Sequence, residues 1–336
     1  MGARRKVAAV LEVLGVYLGG QLVMLILARA MHIELSNPLT HLTARASNTE
    51  LVTASGQLTK LLATQYLGWF LLIVPIGWWY RRTGLRDYGL TRAGSPLTRL
   101  LLLGLATALV AFWPTRLLEI VNTLRPLGET APWRQALFEM SWRRWEFWLF
   151  MAAGSYIVPP IVEELFYRGY CQRRLADDLG QGTAIAMVAS LFVFSHSQYL
   201  MANSYNFGMI VALLIGALGL GFVFAYTRSL IPSMAAHALI NIPAAGVWQW
   251  IVAGVMVIGA VWFGRSALGV TTKAIQGTAA APALLLAVLG GGYAVAANRF
   301  ELMSIVAVAA LVVALVLEAL ERRARRAGVP TSELGG

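Results

Sequence analysis

Charge is scarce in this chain: only 13% of its 336 residues are Asp, Glu, Lys or Arg, against 58% that are hydrophobic. A soluble domain of that length has no interior large enough to hide so much apolar surface, so the bilayer must act as its solvent. Acidic residues are the scarcer sign, 16 against 27 basic, which leaves a net charge of +11. The basic residues sit in short connecting segments and near both ends, a pattern that reads as a membrane-topology signal and not as a nucleic-acid footprint. Cysteine is nearly absent. Cys171 alone forms no intrachain disulfide and no zinc site built on several thiolates, and beside a basic helix end it reads as a packing residue. Repeats and low-complexity tracts are missing too, apart from a polar tail after Arg326.

What the chain has in plenty is apolar runs of the length that crosses roughly 30 Å of hydrocarbon as helices. Ten candidate spans are legible, at about 7–28, 61–80, 100–118, 145–165, 183–201, 207–227, 230–247, 248–263, 281–297 and 302–320. The expected fold is therefore all-α, a polytopic transmembrane helical bundle of about eight to ten spans. The first run follows Arg4, Arg5 and Lys6 and is longer than a signal-peptide core, so it reads as an uncleaved signal anchor. An even count puts both termini on one side, and the basic clusters Arg4 to Lys6 and Arg322, Arg323, Arg325 and Arg326 assign that side to the cytoplasm. Residues 119–144 object, because they fall outside yet carry Arg125, Arg134, Arg143 and Arg144. Residues 31–60 form the longest polar stretch and read as an external loop, with His32 and His41 facing solvent. Gly216, Gly219 and Gly221 within one span let a neighbouring helix approach closely.

Ionisable groups inside spans cost several kcal/mol on insertion scales (about 2.5 to 3.5), so each one asks for a reason. Pro159-Pro160 sets up a helix start where missing N–H groups do no harm, and Glu163 and Glu164 follow in a position favoured by the helix dipole. Adjacent residues point about 100° apart, so the two carboxylates cannot share one role. Glu164 and Arg168 are spaced for an ion pair on one face, whereas Glu163 lies on the face of Tyr167 with no cation at that spacing. One carboxylate is thus neutralised and the other is free to act as a general base. A helix-start cluster at the membrane surface is the plainer alternative. His196, in Phe192-Val193-Phe194-Ser195-His196, falls well inside an apolar span, where an interhelical hydrogen bond would also account for it. His237 and Asn241 share a helix face one turn apart; they suit either an oxyanion developing in a transition state or a polar helix–helix contact. Glu12, Gln21 and Glu318 lie close to span ends, and with no partner legible for them, snorkelling accounts for all three.

Taken in order, Glu163-Glu164-x-x-x-Arg168, Phe192-x-x-x-His196 and His237-x-x-x-Asn241 resemble the motifs of the CPBP family, the CAAX-processing and bacteriocin-processing membrane endopeptidases that include the Ras-converting enzymes. The resemblance covers about residues 145–250. It implies a catalytic helical core there, flanked by N-terminal helices and loops over 1–144 and C-terminal helices with a basic tail over 251–336. It further implies an intramembrane endopeptidase acting on a membrane-associated or C-terminally tailed protein, with Glu163 and His196 activating a water and His237 and Asn241 stabilising the oxyanion. Glu164, Arg168 and Phe192 would support that site. Glu163, His196 and His237 could instead form a His₂Glu zinc set. Against zinc, no His-x-x-x-His pair fixes two ligands on one helix, and an Asn is a poor zinc ligand, so no cofactor is the expectation. Two other classes compete: a non-catalytic scaffold or immunity-type factor, which has no need of all four polar residues, and a proton-coupled transporter, which should show paired broken helices in two halves of the chain. Only the first half of that pattern, at Pro159-Pro160, is visible.

Overall fold

The computed structural model describes residues 2–34, 47–77, 82–84, 86–125, 127, 152–196, 203–242, 244, 246–275 and 290. Among them the regular structure is wholly helical. Helix α1 spans Gly2–Ala30, α2 Asn48–Pro75 and α3 Leu97–Leu124. After a π-helical turn at Ala152–Tyr156 comes α4, a helix in three stretches: Val158–Glu164, a π-helical Leu165–Gln172, and Arg173–Leu179. Then follow α5 Gln181–Phe194, α6 Ser204–Thr227, α7 Ile231–Asn241 and α8 Val247–Ile275.

Five of these helices, α1, α2, α3, α6 and α8, are long and apolar enough to cross a membrane, and the chain is an integral multi-pass membrane protein. Helix α6 is the inner one, with 61% of its most apolar stretch buried against 17% for α1 and α8. The outer helices turn large apolar side chains such as Leu11, Leu102, Val261 and Trp262 outward, the side that lipid solvates. Helix α3 packs against α6, α7 and α8, while α1 pairs with α2 and touches the end of α4. Close approach explains two of the glycines in α6: a Cβ at Gly216 would meet the Phe112 ring, and one at Gly219 would meet Ala111. Gly221 turns instead to α4 and α5, where a Cβ would lie 2.9 Å from Ile185 and 3.0 Å from Gln172.

Helix ends depart from the hydropathy pattern for local reasons. Helix α2 begins inside the stretch read as a loop, because Ser47 and Glu50 form a reciprocal capping box that satisfies two otherwise orphaned N–H groups. Helix α5 stops at Phe194, so His196 sits just beyond a helix end and not well inside a span. Helix α7 covers only Ile231–Asn241 of the span expected at 230–247; at about 16 Å it is too short to cross. It starts with Pro232 in its first turn and ends where Ile242 turns extended, as a residue preceding proline does. The span expected at 248–263 runs on to Ile275. His32 is exposed, as expected. His41, Glu318, the arginines at 134, 143 and 144 and the span at 302–320 lie outside the described residues, as does all of the span at 281–297 except residue 290.

Glu12 also departs from its reading. It accepts hydrogen bonds from the Tyr170 hydroxyl at 3.1 Å and from Arg174 Nε at 2.9 Å, which ties α1 to α4. Its partners lie some 160 residues away, out of reach of any rule on local spacing.

Candidate active site

The proline pair places the two glutamates. Pro159 and Pro160 lie in the first turn of α4, where their missing N–H groups cost nothing, and the helix then carries Glu163 and Glu164 to different sides. Glu164 is fully buried and accepts Arg168 NH1 at 2.9 Å, itself fully buried. The same Glu164 Oε1 lies 2.9 Å from His237 Nδ1 on α7. Arg168 gives its other terminal nitrogen to the Ala217 carbonyl of α6 at 3.1 Å, and its guanidinium lies 4.8 Å from the centre of the Phe192 ring. All eight residues of the π-helical stretch that contains Arg168 are buried.

Glu163 has different company. Its Oε1 accepts the Tyr66 hydroxyl of α2 at 3.0 Å, and its Oε2 lies 3.9 Å from His237 Nε2. That separation is too long for a direct hydrogen bond and close enough for one water to contact both. Glu163 keeps 16% of its side chain exposed.

The histidine tautomers follow from their partners, since carboxylate and carbonyl oxygens only accept. His237 Nδ1 donates to Glu164, and His196 Nδ1 donates to the Phe192 carbonyl at 2.7 Å. Each imidazole is thereby held with Nε2 left for chemistry. Phe192 lies between them, its ring centre 4.5 Å from that of His196 and 5.7 Å from that of His237. Beside it, the Tyr167 hydroxyl donates to Ser195 Oγ at 2.9 Å, and Ser195 donates to the Phe192 carbonyl at 2.6 Å, which fixes the turn that carries His196.

Asn241 donates through Nδ2 to the Ser155 carbonyl at 2.9 Å. This ties the end of α7 to the turn before α4 and leaves the amide its second N–H. A cavity of about 80 Å³ is lined by His196, His237 and Asn241 together with Phe192, Met209 and Arg116, among others. Glu163 is not one of its lining residues and meets this group through His237 Nε2. Among the described residues, no three His, Cys, Asp or Glu side chains are grouped closely enough to hold a metal ion.

Two contributors are absent from the motif-based reading. Tyr66 gives no local signal, because a tyrosine in an apolar span is ordinary. Arg116 was findable, since the rule that flags ionisable groups inside spans applies to it equally. It is nearly buried in α3, pairs with Glu119 at 3.0 Å, and donates NH2 to the Ile240 and Ile242 carbonyls at 2.7 and 2.6 Å. A cation on the last carbonyls of a helix satisfies orphan acceptors and complements the dipole, so Arg116 fixes the end of α7 that carries His237 and Asn241.

Residues 144–243 match the family model described as Rce1-like, Type II CAAX prenyl endopeptidase Rce1-like. The matched segment contains Glu163, Glu164, Arg168, Phe192, His196, His237 and Asn241. No curated protein and no solved structure matches the chain.

Proposed function

From the premise that residues 144–243 carry an Rce1-like CAAX endopeptidase domain, we propose that Glu163 is the general base of an intramembrane peptide hydrolysis. The observation that carries this reading is the division of labour between neighbours. Glu164 is bound to Arg168 and His237, while Glu163 Oε2 faces His237 Nε2 across 3.9 Å.

In this mechanism a water contacts Glu163 and the free Nε2 of His196. Glu163 takes a proton as the water oxygen attacks the peptide carbonyl carbon. The oxyanion that forms accepts the second N–H of Asn241 and an N–H from His237 Nε2. Because Nδ1 of His237 already donates to Glu164, Nε2 acts as a donor only when both ring nitrogens carry a proton. Glu163 then returns its proton to the leaving amine as the C–N bond breaks, so protons balance over the cycle. No step passes through a metal.

The substrate class that suits this arrangement is a membrane-associated or C-terminally tailed protein. Both termini are assigned to the cytoplasm on the basic clusters beside the first and last apolar runs, and reporter fusions finding them on opposite sides would overturn that assignment. The enzymatic reading is tested in proteoliposomes with membrane-tethered peptides and mass-spectrometric mapping of products. Cleavage that Glu163→Gln abolishes and a chelator leaves intact is expected. Cleavage unchanged by Glu163→Gln removes the base assignment, and chelator-sensitive cleavage restored by zinc replaces the metal-free route. Peptide binding without cleavage in the unmodified protein leaves the scaffold reading instead.

A further inference from the structure

The matched segment does not contain everything that touches Glu163. Tyr66 lies on α2, 97 residues before its partner and outside residues 144–243. We infer that Tyr66 is a positioning residue for the candidate base, and that α2 is therefore a working part of the active site. The inference rests on the reading of Glu163 as general base.

The geometry has two parts. The hydroxyl at 3.0 Å from Glu163 Oε1 engages one carboxylate oxygen and so leaves Oε2 as the oxygen turned to His237. A carboxyl group rotates easily about its last bond unless one oxygen is engaged, and misplacing a base costs rate directly because proton transfer needs hydrogen-bond reach. The second part is what holds Tyr66 still. Its ring packs 5.9 Å from Trp69, which is 1% exposed and stacks on Phe166 of α4 at 4.2 Å with the planes 7° apart. Trp69 also meets Tyr167 edge-on at 5.7 Å. Trp69 also covers Gly20 of α1, where a Cβ would collide with the indole. The α1–α2 pair is thus clamped to the turn of α4 that follows the glutamates, and Tyr66 is presented from a rigid aromatic stack. Aromatic pairs of this kind each contribute roughly 0.5–1.5 kcal/mol beyond their burial.

The experiment compares Tyr66→Phe, Glu163→Asp and the double variant in the full-length protein, reading kcat, KM and melting temperature on a membrane-tethered peptide. Tyr66→Phe keeps the ring and its stacking, so melting temperature and KM should stay near those of the unmodified protein while kcat falls about tenfold. The losses in kcat should fail to multiply, because in the Glu163→Asp background the shortened carboxylate no longer meets the hydroxyl. A kcat unchanged by Tyr66→Phe, or losses that multiply fully, overturns the inference. Should Tyr66→Phe prove too unstable to assay, Trp69→Phe, which loosens the stack without touching the hydroxyl, must lower kcat in the same sense for the inference to stand. The outcomes separate the two levels of the argument: an active Glu163→Gln removes the general base itself, whereas an inactive Glu163→Gln beside a fully active Tyr66→Phe removes only the role of Tyr66.

Discussion

The two sides of the glutamate helix are different environments. Toward α6 and α7 lies a closed polar cluster in which Glu164 and Arg168 are wholly buried and bound to His237 and to a backbone carbonyl. Toward α2 lies Glu163, held at one oxygen by a single tyrosine and partly exposed. A buried ion pair costs a great deal to break and confers little reactivity, whereas a carboxylate with one free oxygen can exchange protons. In the proposed mechanism, adjacent residues of one type divide into a support and a reagent through the helix faces that they occupy. On that proposal, the ion pair of Glu164 with Arg168, and not burial alone, sets the two carboxylates apart.

The largest effect that tests this contrast is on rate. Glu163→Gln is isosteric and should fold normally while cleavage falls by roughly 10²- to 10⁴-fold, the share that general-base catalysis contributes. Glu164→Gln should fail in the other way. It leaves Arg168 without its counter-charge and His237 without its charged acceptor, and removing one partner of a buried pair costs about 3 to 5 kcal/mol, so low yield and a lowered melting temperature should precede any loss of rate. Purified yield, thermal unfolding and peptide cleavage for both variants decide between these patterns. If the two variants show the same profile, the division of labour is lost.

The contrast was legible in part from the sequence, and the reason lies in sequence separation. Glu164 and Arg168 are four residues apart on one helix, so a spacing rule suffices to pair them. The prolines before them mark a helix start by the same kind of local argument. Tyr66 with Glu163, Asn241 with Ser155 and Arg116 with Ile240 are separated by 97, 86 and 124 residues, and the packing of α2 and α3 that brings them together leaves no periodic trace. Hydropathy also misplaced ends. Asn48 to Lys60 are polar enough to resemble a loop, yet Ser47 with Glu50 is a local helix-start signature that outweighs them. Conversely, the span expected at 183–201 runs across the polar Ser195-His196-Ser197-Gln198 to the apolar residues after it, whereas α5 stops at Phe194, so His196 reads as deeper in a helix than it is.

A smaller effect is expected at the far end of the site, where Arg116 holds the last carbonyls of α7. Arg116→Met keeps much of the apolar stem and removes the guanidinium, which leaves the Ile240 and Ile242 carbonyls without their donor and Glu119 without its partner. Both bonds to these carbonyls are only partly buried, so the cost falls below the roughly 1 to 3 kcal/mol of a fully buried unpaired acceptor. Because His237 and Asn241 ride on the same helix, kcat should fall together with stability. Arg116→Lys should recover only part of both, since one ammonium does not reproduce the forked contact to two carbonyls and a carboxylate. Equal behaviour of the Lys and Met variants in thermal unfolding and cleavage would show that the fork does not matter.

The smallest effect sharpens the other side of the comparison, at the start of the helix that carries Tyr66. Ser47 accepts the Glu50 N–H at 3.3 Å, and the Glu50 carboxylate returns 2.7 Å contacts to the Ser47 N–H and hydroxyl. Ser47→Ala removes the side-chain half of this box and should lower stability by about 1 kcal/mol, the usual worth of an N-cap. Tyr66 lies roughly five turns further along α2, beyond the reach of fraying in the first turn, and the Trp69 stack holds it from the other end. Cleavage by Ser47→Ala should therefore match the unmodified protein at temperatures below its unfolding. Ser47→Asp, which keeps a capping acceptor, should recover most of the stability. A rate loss in Ser47→Ala at unchanged melting temperature would mean that the entry of α2 is coupled to Glu163 through the whole helix, and the rigid stack at Trp69 would no longer explain how Tyr66 is held.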